Sequence, residues 1–127
     1  MSDEHDVYAQ LGGADAFVQL VDAFYVTVVN DPVLRPMYPD DLEPGKQHLA
    51  LFLAQYFGGP NAPYSTTRGH PRLRQRHMPY PIDRDAALRW ATAMHAAIDT
   101  QNWPNDAAAT VHAYVNRAAP MMINTHG

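Results

Sequence analysis

Four stretches of the chain repeat apolar residues every three or four positions, and prolines or glycines stand between them. The first stretch runs from Ala14 to Val29, after Gly12-Gly13 and before Asn30-Asp31-Pro32. This spacing puts apolar side chains on one face of an α-helix, which is therefore expected to meet a core. Glycine before the stretch and proline after it are typical helix boundaries. The predicted core face carries Phe17, Val18, Val21, Phe24, Tyr25 and Val28.

Three further stretches have the same periodicity. Pro44 suits the first turn of a helix, which Gly58-Gly59-Pro60 should end. The next helix is predicted from about Asp83 to Asp99, and the last from near Asn105, with Pro120 disturbing its final turns. Their apolar faces are predicted to carry Leu49, Phe52, Leu53 and Tyr56, then Leu88, Trp90, Ala91, Met94, Ala97 and Ile98, and finally Val111, Tyr114, Val115, Ala118, Met122 and Ile123.

Length, charge and cysteine content restrict the class of protein. The 127 residues suit one hydrophobic core, so we predict a single domain over residues 1–127. The absence of cysteine excludes disulfides and thiolate metal sites, and a net charge of −4 argues against nucleic-acid binding. No apolar run approaches the ~20 residues that span a bilayer, and the start of the chain is unlike a signal peptide. We expect an all-α, soluble, cytoplasmic protein without a membrane span.

One segment combines histidines with arginines. It reads Gly69-His70-Pro71-Arg72-Leu73-Arg74-Gln75-Arg76-His77. A neutral imidazole binds metal ions, and guanidinium groups pair with carboxylates and other anions. The segment therefore predicts one site that binds both a metal ion and a polyanionic ligand.

Three large aromatic residues with polar tips need partners if they are buried. Tyr25 and Trp90 lie on predicted core faces, and Tyr38 lies in the proline-rich connection after the first helix. Each one alone is expected simply to fill the core. Together with the histidine segment, they predict a dry pocket with several hydrogen-bond donors, suited to a small polar ligand on a metal.

Several motifs resemble those of the group II truncated haemoglobins, and the resemblance covers nearly the whole chain in order. It implies an all-α truncated globin, a two-over-two helical sandwich that encloses a haem. The motifs are Tyr8-Ala9-Gln10-Leu11-Gly12-Gly13, Phe24-Tyr25, Asp31-Pro32-Val33-Leu34-Arg35-Pro36-Met37-Tyr38-Pro39, Phe52-Leu53-Ala54-Gln55-Tyr56-Phe57-Gly58-Gly59-Pro60, the histidine segment with Arg68 before it, and Trp90 with Met94.

The resemblance implies roles for the histidine segment. His77 matches the residue that binds the iron of haem b. Arg72 and Arg76 match partners of the haem propionates, whereas Arg74 fixes the segment or is surface charge. His70 matches a structural histidine.

The resemblance also implies roles around the ligand. Tyr25, Tyr38 and Trp90 match the positions that surround it, where a phenol O–H and an indole N–H donate hydrogen bonds and slow oxygen release. The implied apolar contacts of the haem, for which core packing is an equal explanation, are Leu49, Phe52, Met78, Ile82 and Met94.

Gly45 aligns with a position where many globins carry a distal histidine or glutamine. A glycine there leaves room for a short route from solvent. The stretch before Gly45 is one residue shorter than is usual in the family. A shift of the alignment by one residue would instead place Pro44 or Lys46 at this position. His48 is expected to face solvent or a propionate, and ligation of the iron by His48 is disfavoured.

Three function classes follow. The first is a haem protein that binds oxygen, nitric oxide, carbon monoxide or sulfide, with slow oxygen release suited to nitric oxide dioxygenation or peroxidase-like turnover. It implies diatomic gas ligands, an electron-donating reductase and a monomer or homodimer. The second is a non-catalytic ligand-binding or sensing globin. The third is a haem-free helical protein whose histidines bind zinc or nothing.

Overall fold

The described part of the chain, residues 4–59 and 82–123 of a computed structural model, contains helices and no strand. The prediction of an all-α fold is therefore confirmed. No helix in these two ranges is both long and apolar enough to cross a membrane. The α-helices are α1 (Val7–Gln10), α2 (Asp15–Asn30), α3 (Glu43–Tyr56), α4 (Arg84–Asp99) and α5 (Asn105–Met121), and two short 3₁₀ helices span Glu4–Asp6 and Arg35–Met37.

Local chemistry explains where the helices begin and end. Gly58, with φ of +107°, takes the left-handed conformation after α3, and the N–H of Gly59 donates to the carbonyl of Ala54 over 2.8 Å. This arrangement satisfies carbonyls that a helix end leaves open. At the start of α4, the carboxylate of Asp83 accepts a hydrogen bond from the N–H of Ala86 over 2.9 Å. Both boundaries agree with the positions predicted from the sequence.

Three helix pairs enclose the core. α2 packs against both α3 and α4, and α4 also packs against α5. Phe17, Leu20 and Phe24 of α2 are completely buried between these elements. The ring of Phe17 lies 5.9 Å from that of Phe57 and 6.0 Å from that of Trp103, so the ends of α3 and α4 are joined to α2 by aromatic contacts.

Two residues predicted on core faces lie instead at the surface. Val18 is 47% exposed and Leu88 is 63% exposed. Val18 follows Phe17 directly and is rotated by about 100° around the helix axis. Leu88 lies two positions before Trp90, which places it on nearly the opposite side of α4. The assignment of these two residues to the core was wrong.

Two features of the helices concern the ends of the chain. The four-residue α1 was not predicted, because it is shorter than the window in which helical periodicity becomes visible. Pro120 lies in the last turn of α5, and the helix ends one residue later, at Met121.

Candidate functional site

Tyr25 and Tyr38 meet beside the middle of α2. Tyr25 is buried on the inner face of that helix, and the two rings lie 5.6 Å apart at an angle of 68°. Tyr38 directly follows the 3₁₀ helix Arg35–Met37. Arg35 holds this connection, because its Nη1 donates to the carbonyls of Tyr38 and Pro39 over 3.2 Å each.

The hydroxyl of Tyr38 is held in its neutral form. Burial raises the pKa of Tyr38 above its usual value of 10.0, and the neighbouring Tyr25 raises it further. Removal of the phenolic proton would place a charge where water is scarce. At neutral pH, Tyr38 therefore carries an O–H group that can donate a hydrogen bond.

Trp90 reaches the same region from α4. It is buried, and its ring lies 6.1 Å from that of Phe24 at 72°. The ring of Phe24 in turn lies 5.4 Å from that of Tyr25 at 89°. Phe24 therefore separates Tyr25 from Trp90 and fixes both by edge-to-face contact.

An ion pair joins the ends of α2 and α4 close to Trp90. Arg89, the residue before Trp90, approaches a carboxylate oxygen of Asp31 within 3.3 Å. The same carboxylate accepts hydrogen bonds from the N–H groups of Val33 over 2.8 Å and Leu34 over 3.0 Å. Burial opposes the charge of Asp31, but these hydrogen bonds and Arg89 outweigh it and lower the pKa of the carboxyl group.

A narrow apolar cavity lies beside Trp90. Trp90, which was predicted to contact the ligand, lines this cavity together with Met94 and Leu49, which were predicted as apolar contacts of the haem. The remaining lining residues are Leu20, Leu53, Val111, Tyr114 and Val115. Phe52 and Ile82, also predicted at the site, are buried in the surrounding core. The structure thus provides an apolar cavity next to an indole.

The first turns of α3 bring a cation to Tyr25. The ammonium nitrogen of Lys46 lies 5.7 Å from the centre of the Tyr25 ring, within cation–π range. Lys46 also pairs with Asp22 over 3.6 Å and with Glu43 over 3.8 Å. Gly45 and His48 also lie in the first two turns of α3, and both are half-buried.

The predicted metal and anion ligands lie outside the described residues. These are the predicted iron ligand His77 and the predicted propionate partners Arg72 and Arg76. The predicted haem contact Met78, and Arg74 and His70 of the same segment, also lie outside them. Across 4–59 and 82–123, no group of three or more histidine, cysteine, aspartate or glutamate side chains is arranged to hold a metal ion. The assignment of His77 to a metal therefore stays a prediction.

Two contributions to the site were missed by reasoning from the sequence. The separating role of Phe24 is invisible in a pattern that marks it only as apolar. The pairing of Asp31 with Arg89 joins residues that are 58 positions apart, and no short sequence motif predicts it.

Comparison with known proteins decides the family. A model of the family "Bacterial-like globin" matches residues 6–124. The chain belongs to the bacterial-like globin family. The Group 2 truncated hemoglobin YjbI of Bacillus subtilis (strain 168) is 42% identical to this globin over 87 residues, which cover 68% of this chain and 65% of that protein. With two plant relatives the match covers 60% and 56% of the relative, so the chain spans less than two thirds of each curated relative.

Solved structures agree over a larger share of both chains. The hemoglobin of the thermophilic phototrophic bacterium Chloroflexus aurantiacus superposes with a TM-score of 0.85 at 47% identity, covering 94% of this chain and 98% of that one. The structure described as truncated oxygen-avid haemoglobin from Bacillus subtilis superposes with a TM-score of 0.80 at 33% identity, covering 97% and 100%. The group II assignment and the two-over-two fold are therefore confirmed.

Membership of the globin family implies a haem cofactor. The described residues fit such a group in chemical character, because the cavity beside Trp90 has apolar walls and two polar-tipped side chains, Trp90 and Tyr114, among its lining residues. A large apolar macrocycle needs such walls, and a ligand on its iron needs a few oriented polar groups.

Proposed function

We propose that this globin holds haem b, with His77 as the iron ligand and Arg72 and Arg76 at the propionates. It binds oxygen, nitric oxide, carbon monoxide and sulfide, and it releases oxygen slowly enough to support oxidative chemistry. The residues proposed to act on the bound ligand are Tyr25, Tyr38 and Trp90. The residues proposed to contact the haem or its ligand route are Gly45, His48, Leu49, Phe52, Met78, Ile82 and Met94.

The observation that carries this proposal is a chain of ring contacts that runs from Tyr38 to Tyr25, from Tyr25 to Phe24 and from Phe24 to Trp90. Two phenols and one indole come from α2, from the connection that follows it and from α4, and all stand within one aromatic cluster. Aromatic side chains alone would serve to fill a core. Three polar-tipped aromatics in one cluster, of which Trp90 also lines an apolar cavity, favour a pocket that binds a small polar ligand.

A bound haem supplies an iron that takes diatomic gases and changes between the ferrous and ferric states. The chain supplies hydrogen-bond donors that are already oriented, so little reorganisation is needed when negative charge develops on a ligand. Each such hydrogen bond contributes about 1–2 kcal/mol. This corresponds to about a tenfold longer residence time for each donor.

The rate of oxygen release distinguishes a protein that stores oxygen or reacts it from a protein that transports it. The similar haemoglobin of Bacillus subtilis is described as oxygen-avid, which supports the proposal for this chain. Slow release is unsuitable for delivering oxygen, but it keeps the gas in place until a second reactant arrives. We therefore favour nitric oxide dioxygenation, with peroxidase-like turnover as a variant.

In nitric oxide dioxygenation, one oxygen molecule, one nitric oxide molecule and one electron give one nitrate ion. Ferrous iron supplies the electron, so a reductase must return one electron after each turnover. An electron-donating reductase, a cytoplasmic location, a single domain over residues 1–127 and a monomeric or homodimeric state remain predictions from the sequence.

The test is stopped-flow mixing of the reduced, oxygen-saturated protein with nitric oxide. We expect conversion to the ferric spectrum much faster than oxygen dissociates, with one nitrate formed per haem. A non-catalytic binder or sensor would instead exchange oxygen for nitric oxide at the rate of oxygen dissociation and form no nitrate. That second outcome would reject the dioxygenase proposal and leave the ligand-binding alternative.

A further inference from the structure

Two histidines face each other across the contact between α4 and α5. His95 of α4 and His112 of α5, called here the histidine pair, bring their Nδ1 atoms to 2.6 Å. The ring centroids are 4.8 Å apart and the ring planes differ by 29°. The two Nδ1 atoms therefore lie between the rings, on the edges that face each other. Both side chains are half-buried, so solvent reaches them.

The outer nitrogen of each ring has an oxygen partner. Nε2 of His95 lies 2.9 Å from Oδ1 of Asn116. Nε2 of His112 lies 3.1 Å from Oδ1 of Asp99. With the Asn116 amide in this orientation both oxygens are hydrogen-bond acceptors, and in the matching tautomers each Nε2 carries a proton and donates it. In a neutral imidazole the other nitrogen then presents a lone pair.

Two lone pairs that face each other at this distance require a positive ion between them, either a proton or a metal ion. Metal-binding histidines in proteins usually donate the N–H of their other nitrogen to a carboxylate or a carbonyl oxygen, which fixes the tautomer and the ring orientation. Asp99 and Asn116 supply such oxygen acceptors to the outer nitrogens of the histidine pair. The arrangement therefore has the outer contacts of a metal site as well as its ligands.

We propose that the histidine pair is a binding site for a divalent transition metal ion such as Zn²⁺, separate from the haem iron. The two Nδ1 atoms are the protein ligands, and water completes the coordination. Two Zn–N bonds of about 2.0–2.1 Å at a tetrahedral angle place the nitrogens about 3.3 Å apart. The pair must widen by about 0.7 Å from the distance in this structure, which half-buried side chains reach by small rotations.

A second arrangement of the same atoms leaves no place for a metal. If the amide of Asn116 is turned, its nitrogen donates to Nε2 of His95, and Nδ1–H of His95 donates to His112. The pair is then a neutral hydrogen bond that needs no ion. Zinc binding distinguishes the two arrangements, because only the first leaves two lone pairs for a metal.

The experiment measures Zn²⁺ binding by equilibrium dialysis of the ferric haem-bound protein. We expect one equivalent to bind in the wild type and this equivalent to be lost in both His95→Gln and His112→Gln. Asp99→Ala should weaken binding about tenfold or more, because it removes an oriented outer partner. Asp106→Ala, which removes an exposed carboxylate from the first turn of α5, is the matched control for Asp99→Ala and should bind as the wild type does.

A second measurement avoids dependence on the folding of the variants. In the carbon monoxide form of the wild type, which is diamagnetic, nitrogen NMR of the histidine rings should show Zn²⁺ shifting Nδ1 of both His95 and His112. Absence of binding, or binding that is unchanged in both histidine variants, would overturn the proposal and leave a hydrogen bond between the two rings, either neutral or with a shared proton. Neither result depends on how the haem pocket handles oxygen.

Discussion

His77 and His70 stand seven residues apart in one arginine-rich segment, and the proposed function assigns iron to His77 alone. We predict that His77→Gly purifies with little or no Soret absorbance, because the variant lacks the proposed protein ligand of the iron. Added imidazole should restore the band by replacing the missing side chain. Absorption spectra of the variants with and without imidazole give the measurement.

His70→Gly is the control for this prediction, since it removes an imidazole from the same segment. It should keep the Soret band of the wild type. If His70→Gly loses the haem and His77→Gly retains it, the assignment of the ligand is wrong, although a haem protein would remain.

Single residues also show where a pattern in the sequence stops being informative. Tyr25 and Trp90 were predicted to be buried, and both are. Val18 and Leu88 were assigned to the core because they lie in the same apolar windows, yet the helix turns them toward solvent. An apolar window can include residues from more than one side of a helix, so the rotation of each residue about the helix axis decides whether it reaches the core.

At the scale of the elements, the ends of α2 and α4 depend on one carboxylate. Asp31 stabilises the chain reversal after α2 and pairs with Arg89 on α4. We predict that Asp31→Asn lowers the free energy of unfolding by about 1–2 kcal/mol at pH 7, because hydrogen bonds to a charged acceptor are lost or weakened. Urea unfolding gives the measurement.

The effect of Asp31 has a defined pH dependence. Its pKa in the folded state lies below the reference value of 3.8, so the carboxylate contributes fully above that value. The contribution is lost as the pH falls through the folded pKa. The difference between wild type and Asp31→Asn should therefore stay constant from pH 7 down to about 4 and shrink as the pH is lowered further.

Asp85→Asn is the matched control, because Asp85 pairs with the same Arg89 from an exposed position on α4. Exposed pairs of this kind contribute little. A loss for Asp85→Asn equal to that for Asp31→Asn, or a difference for Asp31→Asn that does not shrink at low pH, would contradict this account of the contact.

The long elements were predictable and their mutual contacts were not. The bounds of α2 to α5 follow from periodicity together with the glycines, prolines and Asp83 that stop and start the helices. The pairing of α2 with α4 depends on Asp31, Arg89 and the packing of Phe24, which are distant in sequence. The polar tips of Tyr25, Tyr38 and Trp90 and the histidine segment, and then the resemblance to a known family, predicted that these three residues belong to one site.

At the scale of the whole molecule, the residues of the candidate pocket come from elements that are far apart in the sequence. α2 supplies Tyr25, the connection after it supplies Tyr38, and α4 supplies Trp90. The pocket therefore forms only when α2 packs against α3 and α4. Its central property, according to the proposed function, is that these donors retain oxygen.

The rate of oxygen dissociation in the wild type and in Trp90→Phe tests this claim most directly. We predict that loss of the indole N–H speeds release about tenfold, in line with a hydrogen bond of about 1–2 kcal/mol. Trp103→Phe is the matched control, since the chain has two tryptophans and Trp103 packs against Phe17 instead. An unchanged rate in Trp90→Phe, or an equal increase in Trp103→Phe, would contradict the proposal that Trp90 holds the bound oxygen.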